Sequence, residues 1–151
     1  MNRKYVHVTY NKETQERLRE WCIKNNFNLT SRYYGEVQNI EDFIFHTTIL
    51  YSLNETDLKD DIIEISKDNK VYATGIKYLG EDLNIPVLTV KSDALQALRE
   101  LFELKGLIDF WPTYLPHISI SYERQTRDLS NIKLPDFDLV FDQLIIEDLE
   151  E

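Results

Sequence analysis

Two short stretches constrain the fold of this chain more than any others: residues 43–52, FIFHTTILYS, and residues 115–122, LPHISISY. Both are rich in β-branched and aromatic residues and read as strands. In each, a histidine is followed two positions later by a hydroxyl, His46 by Thr48 and His117 by Ser119. Strand side chains alternate between faces, so each imidazole projects from the same face as its hydroxyl. The opposite faces are apolar, with Phe45 and Ile49 in the first stretch and Ile118 and Ile120 in the second. Two half-buried strands that aim an imidazole and a hydroxyl at a shared cleft satisfy both patterns.

The remaining elements follow from periodicity and punctuation. Residues 4–10, KYVHVTY, read as a strand, and Asn11 caps a helix over residues 12–26 with Leu18, Trp21 and Cys22 on one face. A polar and aromatic connection over residues 28–42, with Arg32, Tyr33, Tyr34 and Gly35, is placed to cover part of a cleft. Residues 62–66, 71–78 and 87–91 read as three strands separated by the turn signals Lys67-Asp68-Asn69 and Gly80-Glu81-Asp82, the first two pairing antiparallel. Ser92-Asp93 caps a helix over residues 94–105 that buries Leu95, Leu98, Leu101 and Phe102, and Gly106 closes it. Trp111-Pro112 and Pro116 precede the second histidine strand, and residues 137–148 form a last strand interrupted by Asp142 and Gln143.

The chain repeats itself. Val8-Thr9-Tyr10 matches Leu88-Thr89-Val90, and Leu18-Arg19-Glu20 matches Leu98-Arg99-Glu100 at the same offset. Each half reads strand, helix, histidine strand, so residues 1–151 are expected to form one two-lobed domain duplicated at roughly 1–80 and 81–151. The third histidine, His7, also precedes a hydroxyl by two residues, Thr9. It falls opposite apolar Val87 in the repeat, so a structural or peripheral role is expected for it. The whole reads as an α+β fold of two similar lobes, antiparallel sheets around a central groove and helices outside.

With 42% apolar and 29% charged residues, 151 residues suit one ordered domain. No apolar run approaches the roughly eighteen residues of a membrane span, and no secretory apolar stretch follows the first residues. No membrane association and a cytoplasmic location are therefore expected. The single cysteine, Cys22, cannot form an internal disulfide and reads as a buried structural thiol. A net charge of −10 opposes binding to long nucleic acid, whose affinity comes mostly from cations at phosphates. Any nucleic-acid-like ligand should be short.

Imidazole has an unperturbed pKa of about 6.5, so a neutral and a protonated ring can coexist near neutral pH. Across a phosphodiester, the neutral ring can take a proton from the attacking oxygen while the imidazolium protonates the departing one. Thr48 and Ser119 would hold the non-bridging oxygens. HExxH and Cys/His clusters are absent from the sequence, and hydroxyls are poor zinc ligands, so neither a metal nor another cofactor is expected.

These residues resemble the two-histidine phosphoesterase superfamily through His46-Thr47-Thr48-Ile49 and His117-Ile118-Ser119-Ile120, with polar Thr47 where that family prefers an apolar residue. Within it, the opening YVHVTYNKETQERLREWC and the strand FHTTILYS look most like phage anti-CBASS proteins, which cleave cyclic di- and oligonucleotide alarm signals. The resemblance implies metal-independent cleavage of 3′–5′ linkages, with a ribose 2′-hydroxyl as nucleophile and a cyclic-phosphate intermediate. His46, Thr48, His117 and Ser119 would carry the reaction, with either histidine able to begin as base.

It further suggests Tyr10, Tyr72 and Glu147 as substrate contacts: Tyr10 stacking on a base, Tyr72 lining the groove, Glu147 bonding a ribose, a base edge or a histidine. The alternatives are a tyrosine packed on a helix N-terminus, a strand-face residue and part of a solvated acidic tail. Rival activities are a 2′,3′-cyclic phosphodiesterase, an RNA-end-processing or ligase-like enzyme, and a non-catalytic sponge for cyclic nucleotides. A cyclic oligonucleotide is the expected partner; the sequence assigns no oligomeric state.

The repeat makes a direct prediction. His117→Ala should abolish turnover of a cyclic dinucleotide while His7→Ala retains it, measured as product formation; the reverse result would overturn the assignment.

Overall fold

The alternation read in the first strand is realised in β1 (Asn2–Tyr10), where Val6 and Val8 are wholly buried and Tyr5 and Thr9 lie on the opposite, part-exposed face. The computed structural model describes residues 1–27, 29, 43–80, 85–111, 113–121 and 126–149, with backbone alone at 66–68. After β1 come α1 (Lys12–Lys24), β2 (His46–Thr56), β3 (Asp61–Leu79), β4 (Ile85–Lys91), α2 (Asp93–Leu104), β5 (His117–Ser119) and β6 (Leu139–Asp148). Both helices start where a side chain satisfies a free backbone N–H: Asn11 accepts from Thr14 N at 2.9 Å and Ser92 from Leu95 N at 3.2 Å. Gly106, with φ of +94°, takes the left-handed conformation that ends the second. Among the described residues no helix is long and apolar enough to cross a membrane.

Among the described residues six strands form one open sheet in the order β2-β1-β6-β3-β4-β5, and its neighbour pairings are antiparallel. This is an α+β architecture with the two histidine strands at opposite edges. One face of the sheet packs with both helices in a single core that includes Phe45, Ile49, Leu88, Ile118, Leu18 and Leu95. The opposite face carries the histidines. Pairing is equivalent around the two histidines: Thr9 lies opposite His46 and His7 opposite Thr48, while Thr89 lies opposite His117 and Val87 opposite Ser119. The residues matched by the sequence repeat therefore hold the two histidines in the same register.

β3 departs from expectation. The two strands expected at 62–66 and 71–78, with a turn at Lys67-Asp68-Asn69, are one continuous strand of 19 residues. Both segments lie against β6, with a register shift between Glu64 and Asn69, so the polar triplet occupies an irregularity inside the strand. The far end of β3 pairs with β4, which connects β4 and β5 to the rest of the sheet. β2 also starts later and ends later than read, and a bulge between its pairings with Val6 and His7 lets Ile49 and Leu50 both face the core. In α2 the inward stripe is Leu95, Arg99 and Phe102, and Leu101 is exposed, because the i, i+4, i+7 face takes the arginine inward.

That arginine joins the two edges of the sheet. Arg99 pairs with Asp109, donates to Ile49 O at 3.2 Å, and lies 4.5 Å from the Tyr114 ring centroid. The segment between α2 and β5 runs along the outer edge of β2, with Leu53 N donating to Ile108 O at 2.7 Å and Phe110 N to Tyr51 O at 2.8 Å. Tyr114 adds a bond from its hydroxyl to Thr48 O at 2.9 Å. An edge strand that would otherwise offer unpaired backbone groups is covered, and β5 is tied beside β2.

The Arg99 and Asp109 side chains are only 9% and 8% exposed. Removing one partner strands the other's charge in the interior, so Arg99→Met should cost about 3–5 kcal/mol of stability in urea unfolding. A loss below about 1 kcal/mol, the size typical of an exposed pair, would contradict a buried clasp.

Candidate active site

Each histidine is the first residue of its strand, and the carbonyl two residues earlier lies just outside it. That carbonyl engages the ring in both cases: His46 Nδ1 to Ile44 O at 3.3 Å and His117 Nδ1 to Leu115 O at 2.7 Å. A carbonyl only accepts, so Nδ1 carries the proton and Nε2 is left as the exchangeable atom. Burial pushes both pKa values below the usual imidazole range, against the opposing pull of the carbonyl bonds. The charge of His117 lowers His46 further, and Lys77, opposite Val87 on the same face, lowers His117. The charge of His117 thus bears on the His46 ring, and a like charge of that kind disfavours protonating both.

His117, Ser119 and Thr48 line one cleft of about 630 Å³, within the range of about 300–1,000 Å³ usual for small-molecule sites, whereas His46 is not part of its lining. The Thr48 hydroxyl is held by the Tyr5 hydroxyl at 2.9 Å. Tyr5 also lines the cleft and was missed by sequence reasoning. The available signal was its alternation with His7 and Thr9, which becomes informative once β1 is paired with the His46 strand.

His7 lies one strand in from His46, not at the periphery. Its ring stacks on Tyr5 at 4.4 Å and meets His46 edge-on at 5.5 Å. Among the described residues its Nδ1 is a buried side-chain atom without a hydrogen-bond partner, 3.9 Å from Glu147 Oε1. Burial, then the charge of His46, pushes its pKa down to about 4, which keeps the ring neutral near neutral pH.

The three further contacts separate. Tyr10 is 3% exposed on the core face, its ring against Phe141 and its hydroxyl bonded to Thr47 at 2.8 Å. It has no open face for a base, and its expected stacking role does not fit this position. Tyr72 is 64% exposed and lies opposite Lys91, which shares a face with Thr89 and Val87. Glu147 lies in β6 opposite Tyr5, on the histidine face rather than in a tail. The connection carrying Arg32, Tyr33, Tyr34 and Gly35 lies outside the described residues.

Fold and site together define a cleft-bearing α+β protein with a histidine and a hydroxyl at each edge of one antiparallel sheet. Residues 2–151 match the family model described as anti-CBASS protein Acb1, and the chain belongs to that family. Its role is phage counter-defence, which implies interaction with cyclic oligonucleotide signals. No curated protein matches the sequence.

Two measurements probe the site. Tyr5→Phe removes one hydroxyl from Thr48 and should lower activity on a cyclic dinucleotide about 2- to 10-fold, the effect of one net hydrogen bond. Loss of all activity, or none, would contradict that role. For His7, a folded pKa near 4 against about 6.5 unfolded means that the unfolded chain binds more protons between those values. Stability is therefore fully present above about pH 6.5 and lost as pH falls toward 4. His7→Gln should flatten that decline in urea midpoints; an unchanged slope would show that His7 is not its source.

Proposed function

We propose that the protein is a metal-independent phosphodiesterase that cleaves 3′–5′ linkages in cyclic di- or oligonucleotides. The observation that carries this reading is the matched pair of histidines: same register, same Nδ1-to-carbonyl bond, the charge of His117 acting on His46, and a hydroxyl two residues on. Membership of the anti-CBASS family supports the substrate class. The negative net charge favours a small phosphate ester over long RNA. The two-lobed duplication and a cytoplasmic site of action belong to this proposal.

In the proposed reaction a neutral ring takes the 2′-hydroxyl proton at Nε2 as the oxygen attacks phosphorus. The other ring, protonated, gives its Nε2 proton to the departing 5′-oxygen. The P–O5′ bond breaks and a 2′,3′-cyclic phosphate forms; water then opens it with the proton roles reversed. The acid and base each contribute about 10²- to 10⁴-fold. Thr48 and Ser119 donate to the non-bridging oxygens, and Tyr5 fixes the Thr48 rotor. Glu147 and Tyr72 remain proposed contacts to ribose or base.

The test is a panel of cyclic dinucleotides, 2′,3′-cyclic nucleotides and RNA ends, each with and without EDTA. Cleavage of the cyclic dinucleotides unaffected by chelator, and reduced about 10²- to 10⁴-fold by His46→Ala, is expected. Stoichiometric capture without product would replace the enzyme by a sponge; preference for RNA ends would move the activity to that class.

A further inference from the structure

The cleft has a wall that the acid–base chemistry does not use. Trp111 lines it together with His117 and Ser119, yet the residue is 59% exposed. Leaving so large an apolar ring in water forgoes a substantial burial gain, and such a ring is informative when its backbone is held in place. This one is held. Asp109 Oδ1 accepts from Trp111 N at 3.2 Å and from Tyr51 N at 3.3 Å, while the other carboxylate oxygen is taken by Arg99. Phe110 is anchored by its own N–H to Tyr51 O and presents its edge to the indole at 5.0 Å and 81°. The buried ion pair thus fixes the backbone under an aromatic ring that projects at the cleft.

We infer that Trp111 is a stacking platform for a nucleobase of the bound nucleotide. Every base offers a π-face, and an indole held in advance loses little freedom on stacking. The inference rests on the reading of the ligand as a cyclic nucleotide and adds a binding residue to it. Stacking is made in the ground state and the transition state alike, so the residue acts on affinity and not on the chemical step.

The probe is a phosphorothioate-linked cyclic diadenylate, titrated into the wild-type protein, Trp111→Leu and Trp111→Phe, alongside steady-state kinetics on the cleavable dinucleotide. Trp111→Leu should weaken binding and raise KM about 5- to 150-fold with kcat nearly unchanged, and Trp111→Phe should restore most of the affinity. The probe should quench wild-type tryptophan emission and leave that of Trp111→Leu, which retains only Trp21, nearly unaltered. Equal probe affinity for Trp111→Leu and wild type would overturn the inference, and so would a fall in kcat without a change in KM. Wild-type binding without cleavage removes the proposed reaction and leaves the platform standing. Cleavage with an indifferent Trp111 does the opposite, and a wild-type protein that ignores the probe removes both.

Discussion

The buried pair between Arg99 and Asp109 governs the geometry of the whole cleft. β2 and β5 stand at opposite ends of the sheet order, and no ladder of hydrogen bonds joins them directly. Arg99 on α2 reaches the β2 carbonyl of Ile49, Asp109 holds the backbone of Tyr51 and Trp111, and Tyr114 lies under the guanidinium while its hydroxyl bonds Thr48 O. A guanidinium suits this task because its planar fork serves a carboxylate, a carbonyl and an aromatic face at once. The same contacts that tie β2 to the segment before β5 also hold the backbone of the aromatic wall.

Equivalence between the halves is close in backbone register and broken in side chains. Beside His46 and Thr48, β1 presents Tyr5, His7 and Thr9; beside His117 and Ser119, β4 presents Ile85, Val87 and Thr89. His46 therefore meets the rings of Tyr5 and His7, the latter 3.9 Å from the Glu147 carboxylate, while His117 has Lys77 in reach. Matched backbones hold two like groups, while the charges that lower their pKa values differ, His117 for His46 and Lys77 for His117. The proposed reaction, which draws an acid and a base from one residue type, would need surroundings that differ in this way.

Much of this was legible in the chain because it is local. Apolar alternation marked β1, β2, β4 and β6, and the Asn11 and Ser92 caps marked both helix starts. Other features depend on distant partners. Lys67-Asp68-Asn69 has the composition of a turn, and only pairing of β3 with β6 on both sides keeps the strand unbroken. Arg99 turned inward because Asp109 and a β2 carbonyl were waiting for it, which helical periodicity does not reveal. Period two already put Tyr10 with Val6 and Val8 on the core face, where it is buried, and the stacking role rested on family resemblance alone. For His7 the repeat pointed to apolar Val87, whereas pairing with the His46 strand set the ring beside the site.

The most direct test of the central claim is a crystal structure with a non-cleavable phosphorothioate cyclic dinucleotide. One phosphorus should lie between the Nε2 atoms of His46 and His117, each within hydrogen-bond reach of an ester oxygen, with Thr48 and Ser119 on the non-bridging oxygens. A phosphorus bound by one histidine alone, or a ligand seated away from both edges of the sheet, would contradict the account.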